Sequence, residues 1–238
     1  MIRLYVEHFE KDTVEMSPDQ SHYLVSVMRV KSGDCIRIFN ERNGEFDALV
    51  EIKKRTVFVS PLTCIKHMQT NNTKREIWLA FSPLKSNLTH FVIEKATELG
   101  ATTIQPIISD YTQYRHFSVD KCKKIAIKAT EQCERLDVPN IFEAQNFCEF
   151  IKTLPPIHWL AAIERTNASH ISFDPAKISS VGIIVGPEGG FSEVERNMLT
   201  LSTTAISLGD RILRSETAAL CALSIISLQI AVKDFIIK

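Results

Sequence analysis

Residues 181–192 read VGIIVGPEGGFS, and residues 206–218 read ISLGDRILRSETA. Each stretch begins as a short apolar run typical of a strand, continues into a glycine-bearing loop and then starts a helix. Two such loops, side by side at the carboxyl edge of a parallel sheet, form a crevice of nucleotide size. The pair therefore predicts an enzyme with a nucleotide-like cofactor.

The composition of the two loops narrows the ligand class. The chain has no GxxxxGK[ST] motif and no GxGxxG between a strand and a helix, which disfavours a nucleoside triphosphate or a nicotinamide dinucleotide. Glycines allow the backbone to approach a flat ligand closely, and the glycines of the two loops are Gly186, Gly189, Gly190 and Gly209. Apolar side chains can form the walls of the site, and these are Leu208, Ile212 and Leu213. This pattern suits an adenine ring held by main-chain hydrogen bonds. The first loop alone could equally be a tight strand-to-helix turn, but the second favours the ligand interpretation.

Two charged residues flank the start of the last predicted helix. Arg214 and Glu216 could form a simple exposed ion pair, which contributes little to stability. At the mouth of the predicted crevice, however, an arginine could hold a phosphate or polarise a carbonyl. The N-terminus of that helix also favours an anion.

The spacing of apolar residues predicts two domains, residues 1–70 and 75–238, joined by a polar linker at residues 67–76. The first domain reads as a small β-barrel with one short helix. Its predicted elements are strands at 3–6, 35–39, 46–52 and 57–62, and a helix at 18–28. The second alternates strands and helices, which predicts an α/β fold with a mostly parallel sheet and helices on both faces. Its predicted strands are 77–81, 104–108, 158–163, 181–185 and 205–208, with helices at 87–99, 119–136, from 192 and from 215. Gly100 is the predicted stop of the first of these helices, and Ser192 with Glu195 three residues later is a capping box at the start of the third.

Composition limits the remaining possibilities. The chain has 238 residues, zero formal net charge and six cysteines without a CxxC pair, so we expect reduced thiols in a cytoplasmic protein. The first residues contain no apolar signal-peptide region, and we expect no metal because no HExxH motif is present. Residues 218–231 are almost wholly apolar but too short to span a bilayer, which predicts a buried helix and no membrane association.

Basic residues in the first domain could follow a phosphate backbone. They are Arg29, Lys31, Arg37, Lys53, Lys54 and Arg55. The charged residues of hairpins usually only contact water. By themselves, these residues therefore favour a solvated surface over an RNA-binding one.

The motifs together resemble the ribosomal RNA small subunit methyltransferase E family, within the SPOUT class of methyltransferases. The resemblance extends over essentially the whole chain. It rests on the two C-terminal loops and on four further stretches: MRVKSGD at 28–34, LK at 84–85, EKATELG at 94–100, and EQCER at 131–135 followed by VP at 138–139. Several motifs in matching order and spacing are far more specific than any one alone.

The resemblance implies a PUA-like N-terminal barrel that binds RNA, a C-terminal trefoil knot and a homodimer formed through the C-terminal domain. It also implies S-adenosylmethionine as cofactor and methylation of N3 of one uridine in 16S rRNA of the small ribosomal subunit, as a step in rRNA processing and ribosome biogenesis. The implied cofactor residues are Ala161, Ala162, Val185, Gly186, Pro187, Glu188, Gly189, Leu208, Gly209, Ile212, Leu213 and Arg214.

In the implied reaction, uridine N3 must be unpaired and must lose its proton. Arg214 or Arg135 could stabilise the developing negative charge on uracil, and Glu188 or Glu216 could accept the proton. The implied RNA-binding residues are Arg29, Lys31, Arg135, Lys53, Lys54 and Arg55.

The chain departs from the family pattern at two places on the expected RNA side. It has Ser-Asp-Tyr at residues 109–111, where the family often has an arginine, and Glu134 where glycine is common. Two alternatives stay open. One is a 2′-O-ribose methyltransferase of tRNA or rRNA with the same fold, and the other is a non-catalytic rRNA-binding assembly factor.

Overall fold

The computed structural model describes residues 1–10, 12–67, 75–164 and 180–236, with side chains through residue 230. Residues 68–74 of the predicted linker lie outside the described residues. The chain forms two compact units. The first comprises Met1–Asn71 and Thr130–Val138, and the second comprises Asn72–Ala129 and Pro139–Lys238. Sequence analysis had placed 130–138 in the second domain.

The first unit is built on a five-stranded sheet in the order β1-β3-β4-β5-β2. Its strands are β1 (Arg3–Tyr5), β2 (Val14–Glu15), β3 (Cys35–Asn40), β4 (Gly44–Lys53) and β5 (Thr56–Lys66). β1 pairs parallel to β3, and the other pairs are antiparallel. No ladder joins β1 to β2 among the described residues, so pairing alone does not close the predicted barrel.

A helical segment completes the core of this unit. Helix α1 (Pro18–His22) starts with a capping box between Ser17 and Gln20, which satisfies otherwise unpaired N-terminal amides. It continues as a π-helix at Tyr23–Val27, in place of the single α-helix predicted for 18–28. The wider π turn buries Leu24 completely in the core, among residues such as Ile36 and Val59.

The second unit contains a parallel sheet in the order β12-β10-β11-β6-β7-β8, with the short strand β9 also paired to β7. Every described pairing in this sheet is parallel. The strands are β6 (Ile77–Phe81), β7 (Thr103–Ile108), β8 (Asn140–Ile141), β9 (Gln145–Asn146), β10 (His158–Ala162), β11 (Val181–Val185) and β12 (Thr204–Ile206). The helices are α2 (Ser86–Glu98), α3 (Val119–Gln132), α4 (Phe147–Lys152), α5 (Glu193–Ser202) and α6 (Ser215–Ile236). The predicted α/β class with a parallel sheet is confirmed.

Apolar runs place β6 and β11 at the centre of the sheet. All five residues of β11 are buried, the pattern of a strand covered on both faces. Gly182 in β11 leaves room for the indole of Trp159, because a Cβ there would lie 2.3 Å from the ring. β12 ends at Ile206, whose partner Ala162 is the last residue of β10, so the strand stops two residues before its predicted bound at Leu208.

Helix α3 is shorter than its apolar stripe predicted. It ends at Gln132 rather than at Leu136, and Glu134 adopts a left-handed backbone with φ of 60°. Leu136 is still buried, but from the segment after the helix. In the first unit, the Arg3 guanidinium donates to the carbonyls of Thr130 and Arg135, which lie at and beyond the helix end. The helix can end early because Arg3, which is distant in sequence, donates to carbonyls that would otherwise stay unpaired at a helix end.

Helix α6 crosses back beneath the sheet. It contacts α2, β6 and β11, and Ser227 donates a hydrogen bond to the carbonyl of Leu99 at the end of α2. One side of the helix is buried, including Ala222, Leu223 and Ile226, whereas Leu228 is 64% exposed. The helix predicted to be apolar all round is therefore buried along one side and exposes Leu228 among its described side chains.

Candidate active site

The two glycine-bearing loops form one cavity in the second unit. It has a volume of about 450 Å³, within the range of small-molecule sites. Ten of the twelve predicted cofactor residues line it: Ala162, Val185, Gly186, Pro187, Glu188, Leu208, Gly209, Ile212, Leu213 and Arg214. Ala161 and Gly189 do not; Ala161 is buried in the sheet, and Gly189 packs against Tyr111.

Local backbone geometry shapes the first loop, which follows β11. The Gly190 amide donates to the carbonyl of Pro187 at 2.9 Å, and Gly190 has φ of +71°, which closes a tight turn. A Cβ at Gly186 would lie 2.9 Å from the ring of Phe191. The aromatic ring therefore sits directly beneath the loop, and only glycine fits at the cavity floor.

The second loop joins β12 to α6 and is tied to the first. Ser215, at the start of α6, donates a hydrogen bond of 2.5 Å from its hydroxyl to the carbonyl of Gly186. Gly209 has φ of +107°, so the chain turns there as few other residues could. Because of this link, Pro187 and Ile212 line the same cavity although they are far apart in sequence.

The lining provides the groups expected of a site for an adenosine-like ligand. Leu208, Ile212 and Leu213 are apolar, and no backbone amide of residues 210–214 donates a hydrogen bond to the part of the chain that is described. Those amides are free to bind a ligand, as main-chain recognition of a base requires. The residues present therefore fit a flat, partly apolar cofactor.

The three predicted catalytic residues occupy different environments. Arg214 and Glu188 are exposed on the cavity lining, and neither has an ion-pair partner within the described chain. Glu216 does not line the cavity; its side chain is buried, and its Oε2 atom has no hydrogen-bond partner there. The simple alternative for Arg214, an ion pair with Glu216, is absent among these residues.

Sequence analysis missed a carboxylate that joins two loops at this edge of the sheet. It had assigned Glu195 only to the capping box of α5, which is present with Ser192 as N-cap. One oxygen of Glu195 accepts from the amide of Ser192 at 2.9 Å, and the other accepts from the amide of Asp110 at 2.8 Å. The second bond joins the first turn of α5 to the loop after β7, and no local pattern signals it.

The predicted RNA-binding residues lie in the first unit. Arg29, Lys31, Lys53, Lys54 and Arg55 are all exposed. Arg29 and Lys54 have positive φ angles, which mark turns. Lys53 pairs with Glu51 at 2.9 Å at the surface.

Arg135 differs from the other predicted RNA-binding residues because it is mostly buried. Its guanidinium pairs with Asp137 at 2.9 Å, and its side chain is 15% exposed. Its carbonyl accepts a hydrogen bond from Arg3.

Among the described residues, no helix is long and apolar enough to cross a membrane. The same residues contain no cluster of histidine, cysteine and acidic side chains that could hold a metal ion.

Comparison with known proteins decides the family. A family model described as an RNA methyltransferase domain matches residues 71–227, and one described as an RNA methyltransferase PUA domain matches residues 17–62. The chain is 34% identical to ribosomal RNA small subunit methyltransferase E of Rickettsia conorii, over 93% of both chains. The chain belongs to the ribosomal RNA small subunit methyltransferase E family. The assignment made from its motifs is confirmed.

Other members of the family agree in both sequence and structure. Ribosomal RNA small subunit methyltransferase E of Bacillus subtilis is 30% identical over 92% of this chain and 91% of the other. The crystal structure of a ribosomal RNA small subunit methyltransferase E from Neisseria gonorrhoeae, bound to S-adenosyl methionine, superposes with a TM-score of 0.82 at 28% identity. That comparison covers 96% of this chain and 97% of the other. The similarity therefore includes both units.

Proposed function

We propose that this protein uses S-adenosylmethionine to methylate N3 of one uridine in 16S rRNA of the small ribosomal subunit. The observation that carries the proposal is the cavity formed jointly by residues 185–191 and 206–215, in a chain of this family. Its size, apolar walls and free main-chain amides suit an adenosine-bearing ligand. The Neisseria gonorrhoeae relative, which was crystallised with S-adenosyl methionine, supports the same cofactor here.

The cofactor residues we propose are the ten that line the cavity. When bound, S-adenosylmethionine supplies an electrophilic methyl group. Leu208, Ile212 and Leu213 would contact its apolar faces, and the amides of the second loop would bind its polar edge. Gly189 would act indirectly, because it shapes the loop without lining the cavity.

Arg214 and Glu188 are the proposed reacting side chains. When uracil N3 loses its proton, negative charge spreads onto the carbonyl oxygens, and N3 can then attack the methyl group as a nucleophile. The exposed, unpaired guanidinium of Arg214 can stabilise that charge. Glu188 also lines the cavity and is exposed, so it is placed to accept the N3 proton directly or through water. Glu216 is a weaker candidate because it is buried outside the lining.

RNA binding is proposed for the first unit. The exposed cations Arg29, Lys31, Lys53, Lys54 and Arg55 can contact phosphates. Arg135 is proposed to support this region through its pair with Asp137 rather than to contact RNA, since its side chain is mostly buried.

A homodimer, a trefoil knot and a cytoplasmic location complete the proposal. The exposed Leu228 on α6 supports a partner that covers this helix. The chain leaves β12 at one edge of the sheet, yet Ser215 bonds to Gly186 after β11, so residues 207–214 pass the end of β10. That crossing is the one a threaded C-terminus requires.

Nucleoside mass spectrometry tests the reaction. Small subunits or 16S rRNA that lack the modification are incubated with the protein and S-adenosylmethionine, then digested. The proposal expects N3-methyluridine. A 2′-O-methyl nucleoside would support the ribose methyltransferase alternative. If no methylated nucleoside forms and the protein does not bind S-adenosylmethionine, the assembly-factor alternative is supported.

Arg214→Ala tests the assignment of roles. If Arg214 acts on the reacting base, turnover should fall by about 100-fold or more. The dissociation constant of S-adenosylmethionine, measured by calorimetry, should change only a few fold. Equal losses in both would assign Arg214 to cofactor binding instead.

A further inference from the structure

A half-exposed tyrosine follows strand β7 in the second unit. Tyr111 is 52% exposed and makes no hydrogen bond or ring contact with other described residues. The turn itself does not need an aromatic side chain, because turns favour glycine, proline, asparagine, aspartate and serine. The face of the ring is therefore free to contact a molecule outside the chain.

The backbone beneath this ring is held rigidly. Residues 109–112 form a turn in which the Thr112 amide donates to the Ser109 carbonyl at 3.1 Å, and the Ser109 amide donates to the Thr112 hydroxyl at 2.9 Å. Asp110 is fixed twice: its amide donates to Glu195, and its carboxylate accepts from the Ser192 hydroxyl at 2.6 Å. Glu195 itself is 2% exposed, so its bond to the Asp110 amide is largely shielded from water.

The same contacts place Tyr111 beside the cofactor cavity. A Cβ added to Gly189 would lie 3.1 Å from the Cβ of Tyr111. The two residues before Gly189, Pro187 and Glu188, line the cavity. The tyrosine therefore stands at the rim, separated from the lining by one glycine.

The residues after Tyr111 share the composition of a surface that binds single-stranded nucleic acid. Tyr114, Arg115 and His116 are also exposed, and Arg115 has no ion-pair partner within the described chain. Aromatic rings that stack on bases, together with cations that contact phosphates, are the usual combination at such surfaces.

We propose that Tyr111 positions the RNA substrate by stacking on an unpaired base at the rim of the cofactor cavity. This inference rests on the proposed function, because it assumes an RNA substrate at that cavity. A ring on a rigid turn loses little entropy when a base stacks on it, so most of the stacking energy contributes to binding. Base–aromatic stacking is worth about 1–3 kcal/mol, which corresponds to about 5- to 150-fold in affinity.

The test compares Tyr111→Leu with Tyr111→Phe in the full chain. Leucine keeps an apolar side chain but has no aromatic face, whereas phenylalanine keeps the face and loses only the hydroxyl. We expect Tyr111→Leu to raise the KM for unmethylated small subunits by about 5- to 150-fold. Tyr111→Phe should stay within about threefold of the unchanged protein, because stacking uses the ring face.

Two measurements separate positioning from a structural role. The dissociation constant of S-adenosylmethionine should stay within about threefold in both variants, because Tyr111 does not line the cavity. Phe142→Leu is the matched control: Phe142 is 46% exposed but already stacks on Trp78, and its loss should leave the KM for RNA unchanged.

Two results would overturn the inference: equal KM values for the leucine and phenylalanine variants, or a parallel loss of cofactor affinity. If the unchanged protein methylates no RNA, the proposed function fails first. If it methylates RNA and Tyr111→Leu has no effect, only this inference fails.

Discussion

Arg3 holds the first unit together through a buried network, and its removal is the most quantitative test of the structure. The Arg3 and Glu45 side chains are each 6% exposed, and Arg3 Nε lies 3.2 Å from Glu45 Oε1. The guanidinium also donates to the Thr130 carbonyl at 2.9 Å and to the Arg135 carbonyl at 2.6 Å. It lies 3.5 Å from the centre of the Phe39 ring.

Arg3→Met should destabilise this unit by about 3 kcal/mol. Breaking a buried ion pair costs about 3–5 kcal/mol, because one charge stays buried without its partner. The lower end applies here, since Arg37 Nη1 lies 3.6 Å from the same Glu45 carboxylate and compensates in part. Methionine keeps most of the apolar stem, so the cost arises from the lost charge and hydrogen bonds rather than from a cavity.

Arg37→Met is the matched control, since Arg37 is the register partner of Arg3 on β3. Its side chain is 32% exposed and pairs with Asp47 at 3.4 Å, so its loss should cost only about 0–1 kcal/mol. Urea unfolding gives both free energies. Hydrogen exchange over residues 130–138 should rise in Arg3→Met alone. Equal costs for the two variants, or unchanged exchange in Arg3→Met, would refute the reasoning.

Three further changes test other parts of the chain. Gly182→Ala should cost about 3 kcal/mol in urea unfolding, since its Cβ would lie 2.3 Å from the buried Trp159 ring; a cost below about 1 kcal/mol would contradict this packing. Ser215→Ala removes the hydrogen bond to Gly186 that joins the two cavity loops, so the free energy of unfolding should fall by about 1 kcal/mol. Calorimetry should show weaker binding of S-adenosylmethionine. An unchanged affinity would mean that the two loops keep their arrangement without this bond. Burial raises the pKa of the Cys122 thiol to about 11. Alkylation at pH 8, followed by mass spectrometry, should therefore label the exposed Cys35 well before Cys122. Labelling of Cys122 should increase as the pH rises towards its pKa.

Sequence patterns were sufficient for several elements near the cavity, although not for the bounds of β12. The predicted strands 77–81 and 181–185 match β6 and β11 in both bounds, because a continuous apolar run between polar residues is a local signal. The capping box at Ser192 was also predictable, since it involves residues three apart. Gly100 ends α2 with φ of +91°, as expected of a helix stop.

Elements with weak local signals were missed. The short strands β8 and β9 and helix α4 were not predicted; each strand has only two residues, and both pair with β7. Two residues carry no measurable periodicity, so their conformation depends on the neighbouring strand. The π-helix at Tyr23–Val27 was also missed, because a single turn of different width leaves the apolar spacing nearly unchanged.

The sequence by itself determined the parallel α/β class, the two glycine loops and the family, because apolar periodicity and ordered motifs are properties of the chain read in one dimension. Only the tertiary structure decided which distant groups meet. It placed Ser215 within hydrogen-bond distance of Gly186 and the Glu195 carboxylate within reach of the Asp110 amide. It also ended α3 where the Arg3 guanidinium donates to the Thr130 carbonyl. Such pairings depend on directions and distances of a few ångströms between residues far apart in sequence, which no local pattern specifies.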